Sequence, residues 1–509
     1  MSGMLPKGWM EVSIGEIAFV SLGKTPSKKD YLSNGSLKVI KFRDVNNGVV
    51  DFFNDKTGFV RVDEAVVTSM TELKMWDVLT TSAAHSGENI GKKTAIVTEL
   101  PEKFERVFFT GELLNVRIPN HFLGFEIVSK MIYYFLSSEA GYKGIQKAVA
   151  GVHLTQGRAK GILFPLPPLN EQKRIVAKVD AIMPRIDSAK ERLEKIPAIL
   201  KRFRQSVLTA AVTGKLTEKW REEHPETESA EVLLDEKLRM RKQYYASYWK
   251  DFEIPQRWIC ALLKNIADLR LGKMLDGSKN KGISMRYLRN INVRWFGFDL
   301  ESLKEIRITQ AEKEALSIKT GDVFVCEGGE PGRSAVWKAK ENNMTFQKAL
   351  HRVRMKISFL PDLLVYNLKV DADTKKLDEL FTGSTIKHFT GRSLAVYPVA
   401  IPPLEEQKEI VRQVDKLFAL ADKVEEHYQN ARARVDALAQ SVLAKAFRGE
   451  LVSQDPNDEP AEKLLQRIQE EKAKMENELK TASRRARVTR KNGAKTQRAG
   501  AEEKQASEP

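Results

Sequence analysis

The sequence predicts an α+β protein made twice over: two mixed α/β domains separated by two long helices that pair as an antiparallel coiled coil, the halves forming a pseudo-twofold internal repeat. Three observations predict it. About fifty residues recur in register, the recurring blocks carry an apolar seam at a mean spacing of about 3.5 residues, and the blocks between them hold short β-branched and aromatic runs broken by turn residues.

The repeat is plainest at Pro167-Pro168-Leu169-Asn170-Glu171-Gln172-Lys173, which returns as Pro402-Pro403-Leu404-Glu405-Glu406-Gln407-Lys408 at an offset of 235 and continues without a gap to Gly214 and Gly449. Upstream, Pro6, Trp9 and Gly23-Lys24 answer to Pro255, Trp258 and Gly272-Lys273 at an offset of 249. Phe42-Arg43-Asp44-Val45-Asn46 then parallels Leu288-Arg289-Asn290-Ile291-Asn292, and Asp77-Val78-Leu79 parallels Asp322-Val323-Phe324. Gly91-Lys92 is set against Gly332-Arg333, and Lys147, Gly151 and Leu154 against Lys387, Gly391 and Leu394. Downstream, Ala230-Glu231-x-Leu233-Leu234 matches Ala461-Glu462-x-Leu464-Leu465.

Each half is therefore a variable block followed by a nearly fixed one. Residues 1–165 and 255–400 read as the mixed domains, with strand signals such as Leu37–Phe42 and Asp322–Cys326 between Gly, Asn and Asp turns. The fixed blocks, 166–216 and 401–452, read as helical spacers. A charged, partly helical linker (217–254), a short helical extension (453–479) and a basic disordered tail (480–509) complete the plan.

In the first spacer Ile175, Val179, Ile182, Ile186, Ala189, Leu193, Ile196, Leu200, Phe203 and Val207 alternate spacings of four and three. Ile410, Val414, Leu417, Ala421, Val424, Tyr428, Ala431, Val435, Leu438 and Val442 hold the same register in the second. Such a seam with charged flanks is the signature of a coiled coil, and about 43 residues make a rod of roughly 65 Å, longer than an ordinary domain is wide. Pro184 and Pro197 predict kinks in the first rod, because each removes a backbone donor and crowds the preceding turn.

Of the 509 residues, 84 are Lys or Arg against 68 Asp or Glu, a formal charge of +16 that suits a polyanion. Eight of the basic residues fall between Lys480 and Gly500, where no acid occurs, so the excess is shared between tail and body. Two distant cysteines, Cys260 and Cys326, argue against a disulfide framework or zinc ribbon. Without a secretory profile or an apolar run of about 18 residues, a soluble cytoplasmic protein is expected, away from membranes.

Catalytic motifs fail one by one. Gly23-Lys24-Thr25 lacks the earlier glycine of a phosphate loop, since position 18 is Ala18, and Gly328-Gly329-Glu330-Pro331-Gly332 lacks the dinucleotide-binding order. Pro361-Asp362 and Asp373-Thr374-Lys375 fit a metal-nuclease pattern only loosely, and neither Pro-Pro pair sits in the tetrapeptide of an adenine methyltransferase. Seven scattered histidines show no metal-ligand spacing, so neither a metal nor a catalytic residue is assigned.

Two variable domains, each closed by Pro-Pro-Leu-x-Glu-Gln-Lys into a heptad helix ending in Ala-Val-Thr-Gly-Lys-Leu (Ala211–Leu216) or Ala-Phe-Arg-Gly-Glu-Leu (Ala446–Leu451), resemble the specificity subunit of Type I restriction-modification systems over nearly the whole chain. The resemblance implies that the variable blocks are target recognition domains for double-stranded DNA, and that the helices space them and dock two methyltransferase (modification) subunits. Restriction/translocase subunits join that core. It further implies a non-catalytic chain without a cofactor of its own, with S-adenosylmethionine, ATP and Mg on the partner subunits. The basic tail is not part of the family pattern.

Phosphate contacts supply affinity and base-edge contacts identity. Cations and histidines beside glycines or turns are the candidates for both: Lys24, Arg43, His85, Lys92, Lys147 and His153 in the first domain, and Lys273, Arg289, Arg333, Lys387, His388 and Arg392 in the second. Two similar readers on a rigid spacer predict a bipartite site with an unread gap, and their sequence differences predict unlike half-sites. A helical scaffold for an RNA partner, or a stand-alone methyltransferase or nuclease, are the other readings. The first leaves the paired domains idle and the second lacks its motifs.

Overall fold

The computed structural model describes residues 5–46, 48–54, 56–244, 254–276, 280–340, 343–383 and 385–481. The part of the basic tail from residue 482 onward lies outside the described residues, as does 245–253 of the linker. The chain forms two compact units, one of residues 1–192 with 431–509 and one of residues 193–430. Each is thus assembled from parts of both sequence halves.

In the first unit, an antiparallel sheet runs in the order Phe19–Leu22, Leu113–Arg117, Val78–Thr81, Thr94–Ile96. A second sheet sets Leu37–Ile40 between Arg106–Phe109, in parallel, and Phe59–Val60, with Tyr31–Leu32 beyond. The helix Phe125–Ser137 supplies Val128, Met131, Ile132 and Phe135 to the main core. The same core takes in Ile175 and Val179 from the first long helix, Val442, Leu443 and Phe447 from the end of the second, and Leu464 and Ile468 from the helix at 461–481.

The second unit repeats the main sheet as Ala267–Leu271, Leu350–Met355, Val323–Cys326, Ser334–Val336, again antiparallel. The helix Pro361–Asp373 packs beneath it, and Val207, Leu208, Ala230, Ile410 and Val414 close the core. Asp362 and Asp373, the carboxylates of the loose nuclease pattern, fall near opposite ends of that helix and pair with Lys338 and Lys369.

One construction joins domain to helix in both units. The paired prolines hold the entering chain extended, and the helices start at Leu169 and Leu404. Glu171 and Glu406, both buried, accept the indole N–H of Trp9 and Trp258 at 2.8 Å. Gln172 and Gln407 turn back and donate from Nε2 to the carbonyls of Pro167 and Pro402 at 2.8 and 2.9 Å. The repeated heptapeptide is therefore a latch: it fixes each long helix to the first strand region of its domain through a tryptophan about 150 residues away.

The helix pairing is antiparallel within each unit. In the first, Lys190 meets Asp436 helix to helix at 3.1 Å, and Arg174, nearer the start of the first helix, reaches Asp458 in the segment beyond the end of the second at 2.5 Å, one number rising as the other falls. In the second, Arg204 meets Asp422 and Glu425 at 2.7 and 2.8 Å, and Arg221, on the short helix Glu218–Glu223 that follows, meets Glu406 at 2.5 Å. Ile175, Val179, Leu200, Val207, Ile410, Val414 and Val442 are buried as the seam requires, and Ile182, Leu193, Leu417 and Val435 are half-buried.

Val424 departs from the expected seam, being 39% exposed, as does Leu438, whose place in the buried row is taken by Ala439. A helix near 3.6 residues per turn drifts out of a 3.5-residue pattern. Beside Val424, moreover, the guanidinium of Arg204 spans Asp422 and Glu425 and keeps the contact polar. At Pro184 the helix does not end: Leu169–Glu194 is one helix that runs through it. The interruption comes at Lys195, next to Pro197, which sits in the first turn of Ile196–Val212, where its missing N–H costs nothing.

Candidate nucleic-acid interface

All four strands of the first main sheet deliver their connecting loops at one end, because Leu22, Leu114, Thr80 and Thr94 lie side by side in the antiparallel register. Lys24 follows the first of these strands. Its backbone N–H donates to the Phe109 carbonyl, and Gly111 N–H donates to Thr25 Oγ1. Ser82, at the end of the next strand, donates to the carbonyls of Gly111 and Glu112. Beyond it, Ala83 forms an antiparallel bridge with His153. Gln146 Nε2 bonds the carbonyls of Gly87 and Ile90, bringing Lys147 to the loop that carries His85 and Lys92. Lys93 Nζ reaches Asn46 Oδ1 at 3.0 Å and the Phe42 carbonyl at 3.4 Å, adding the turn that bears Arg43. All six expected residues of the first domain thus gather at one end of one sheet, and all six are exposed.

The second domain gathers its set at the corresponding end, where Leu271, Cys326 and Ser334 finish or begin their strands. The side chains there are differently committed. Lys273 is largely covered and paired with Glu312. Arg289 donates to the Ser302 carbonyl at 2.7 Å, and Lys387 is bound to Asp378 at 2.6 Å over the Phe381 ring. Arg333 is held by Glu330 and by the Asn290 carbonyl, both at 2.8 Å. His388 and Arg392 are exposed.

Gly23 and Gly272 show why Gly-Lys recurs. A Cβ at Gly23 would lie 2.3 Å from the Thr110 carbonyl oxygen, and one at Gly272 equally close to that of Gln347. Only glycine lets the strands approach so closely. The motif is a crossing of two chains, not a phosphate cradle.

Superposing the two loop systems by their hydrogen bonds corrects three of the repeat matches. Lys93 donates to the Phe42 carbonyl as Arg333 donates to that of Asn290, so Arg333 answers to Lys93 and not to Lys92. Leu154 N–H bonds the Ser82 carbonyl as Phe389 N–H bonds that of Glu327. Thr155 and Thr390 then cap the helices Gln156–Lys160 and Gly391–Ala395. His153 therefore corresponds to His388, and the match of Lys147, Gly151 and Leu154 to Lys387, Gly391 and Leu394 is five residues out of register. Finally, Lys41 N–H is capped by Asp44 and Arg289 N–H by Asn292, which makes Lys41 the counterpart of Arg289 and shifts that segment by two. Lys93 and Lys41 are the site residues that sequence reasoning missed, Arg43 on the Lys41 turn being among those expected. The signal was present as Lys41-x-x-Asp44-Val45 against Arg289-x-x-Asn292-Val293.

Among the described residues no group of three or more His, Cys, Asp or Glu could hold a metal ion, and no helix is long and apolar enough to cross a membrane. The geometry defines a class: a duplicated chain, each copy an α+β domain latched to a long helix and gathering polar loops at one sheet end. Residues 6–198 and 263–431 match the family model of the Type I restriction modification DNA specificity domain. The chain is 30% identical to the specificity subunit of the Type I restriction enzyme EcoKI of Escherichia coli (strain K12), over 93% of this chain and 97% of that one. It is 27% identical to the StySPI specificity subunit of Salmonella potsdam, over 92% and 97%. Two solved structures share the fold. One, described as the structural basis of complex assembly and conformational transition of the type I R-M system, aligns with a TM-score of 0.63 at 18% identity, over 88% of this chain and 100% of that chain. The other, the HsdS subunit from Thermoanaerobacter tengcongensis, aligns at 0.53 and 17%, over 88% and 99%. The chain belongs to this family and is a specificity subunit of a Type I restriction-modification system. Subunits of this kind act in complexes with other subunits and DNA.

Proposed function

We propose that each domain reads one half of an asymmetric bipartite site on double-stranded DNA through its sheet-end loops, while the paired helices set the unread gap. The observation that supports this best is the doubled loop frame: its main backbone hydrogen bonds recur between the domains, Lys24 N–H to Phe109 as Lys273 N–H to Phe346, Gly91 N–H to Thr81 as Gly332 N–H to Cys326, and Leu154 N–H to Ser82 as Phe389 N–H to Glu327, whereas most side chains on the frame differ. Two modification subunits dock on the helices and restriction/translocase subunits join them. Adenine methylation and cleavage are theirs, with S-adenosylmethionine, ATP and Mg on those partners. This chain is non-catalytic and acts in the cytoplasm. Lys24, Arg43, His85, Lys92, Lys147, His153, His388 and Arg392 face DNA directly, while Lys273, Arg289, Arg333 and Lys387 hold the second domain's loops in shape. The basic tail adds salt-sensitive, sequence-independent affinity.

Exchanging residues 1–165 for the corresponding block of another family member, followed by methylome sequencing, tests the reading. One half-site changes and the other half and the gap persist. Inserting four residues in a spacer helix moves one reader by about 6 Å and changes the gap alone. A domain exchange that altered both half-sites would overturn it, as would methylation of DNA by the purified chain with S-adenosylmethionine and no other subunit.

A further inference from the structure

At the same place in each unit, a single turn of 3-10 helix interrupts the path between two strands: Phe42–Asp44 in the first and Asn290–Asn292 in the second. Its support is the same both times. The third residue, Asp44 or Asn292, is buried and caps the turn by accepting the N–H of Lys41 or Arg289 at 2.8 and 3.0 Å. The capping side chain is itself held by a donor-acceptor partner, Asn54 Nδ2 to Asp44 in one case and Asn292 Nδ2 to the Asp299 carbonyl in the other. A backbone bond then closes the following hairpin, Asp51 N–H to the Asp44 carbonyl and Asp299 N–H to the Asn292 carbonyl, at 2.7 and 2.8 Å. A cation from the neighbouring loop, Lys93 or Arg333, clamps the first carbonyl of the turn.

What this conserved support presents is entirely different. The first unit offers Phe42, 38% exposed, and Arg43, exposed; the second offers Ile291, 45% exposed, beside Asn290, which is half-buried with its Oδ1 accepting the Ile291 N–H at 2.9 Å and its Nδ2 donating to the Gly328 carbonyl at 3.5 Å. Phe42 lies beneath Lys93, 5.5 Å from the ring centroid. Burial does not select these pairs, since three of the four side chains point to solvent. The chemistry, however, is that of base-edge recognition. A guanidinium such as that of Arg43 matches guanine O6 and N7, and an apolar side chain such as Phe42 or Ile291 covers a thymine methyl.

We propose that this turn, bearing Phe42–Arg43 in one unit and Asn290–Ile291 in the other, is the main base-discriminating element of each domain. The inference rests on the reading of the domains as DNA readers. A fixed bracket in an equivalent place lets the two domains meet DNA alike and differ in what they read, with the exchange of two residues sufficient to change the base preference. Lys93 and Arg333 are positioning residues: they act through the turn.

The test uses the chain assembled with its partner subunits and selection from a pool of random duplexes. Phe42→Asn with Arg43→Ile, and in a separate chain Asn290→Phe with Ile291→Arg, each change the selected bases in one half-site and leave the other as it was. Affinity for the original site falls about tenfold or more, the weight of one good base contact. Arg43→Ala, a truncation at an exposed position, relaxes one base preference with thermal unfolding unchanged, and covers the case in which a double variant folds poorly. Unaltered motifs in all three variants would overturn the inference while leaving the domains as readers. A wild-type complex that selects no sequence would instead overturn the underlying reading.

Discussion

The two latches use the same glutamate in different company. In the second unit Glu406 accepts Trp258 on one oxygen and both Thr217 and Arg221 on the other, at 2.7 and 2.5 Å. In the first, Glu171 accepts Trp9 on one oxygen, and the other is buried with no hydrogen-bond partner among the described residues. The repeat register explains the difference, for it puts Val452 and Pro456 where the other half has Thr217 and Arg221. Burial accordingly lifts the Glu171 carboxyl above its ordinary range, against the pull of Trp9 and Arg174. One motif thus sits in two electrostatic settings, and what separates them at Glu406 is supplied by Thr217 and Arg221, which follow the other copy of the motif.

Where the units agree, mutations should agree. Arg117 grips buried Asp77 through two bonds of 2.6 Å, and Arg354 grips buried Asp322 at 2.6 and 2.7 Å. Arg117→Ala and Arg354→Ala each strand a buried carboxylate, and each should cost about 3–5 kcal/mol in denaturant unfolding. A difference of more than about 1 kcal/mol between them would break the equivalence of the two main sheets. The latches should then diverge. Glu406→Gln, which keeps the tryptophan bond but removes the charge facing Arg221, should cost about 3 kcal/mol. Glu171→Gln has no such partner to lose and should stay within about 1 kcal/mol of the wild type.

Acid sharpens the contrast. His351, buried in the second main sheet with Nε2 3.1 Å from the Phe389 carbonyl, has its pKa held below 6.5 by burial. Folding favours its neutral ring, so its contribution is present above about pH 6.5 and is lost as pH falls through the depressed value. For Glu171, raised above 4.5, the sign is opposite: its contribution is complete below about pH 4.5 and lost as pH rises through the raised value. Hydrogen exchange resolved by peptide should therefore show the second unit weakening first on mild acidification, and His351→Leu should flatten that response. The smallest effect concerns the thiols. Cys260 and Cys326 both lie in the second unit, and burial pushes them up to about 12 and about 11. Neither should react with a thiol reagent at neutral pH until that unit opens, and rapid labelling in the native chain would contradict their burial.

The rods and the latch were legible in the sequence because both obey short-range rules: a 3.5-residue seam, and a heptapeptide repeated at one unchanging offset. The loops were less so. Between Thr81 and Gly91 the first domain spends nine residues where the second, between Cys326 and Gly332, spends five, and each such change resets the offset. Matches of one or two residues then arise by chance as readily as by descent, which is how Lys147 came to be paired with Lys387 while the equivalence of His153 and His388 went unseen. Hydrogen bonds restore the register because they record which backbone groups meet. The exposure of Val424 was hidden for another reason: the seam lists one helix at a time, and Arg204, which shapes that contact, belongs to the other.

The completion of the first core by Val442, Leu443, Phe447, Leu464 and Ile468 bears on the order of events at the ribosome. The N-terminal segment of the first unit is made before the second unit, yet the residues that cover its helices are made after it. The second unit has all of residues 193–430 in hand while the first still waits for its closing strip. Synthesis thus runs from N to C, but the later-made domain is finished first, and a chain cut short near residue 430 would leave its oldest part open.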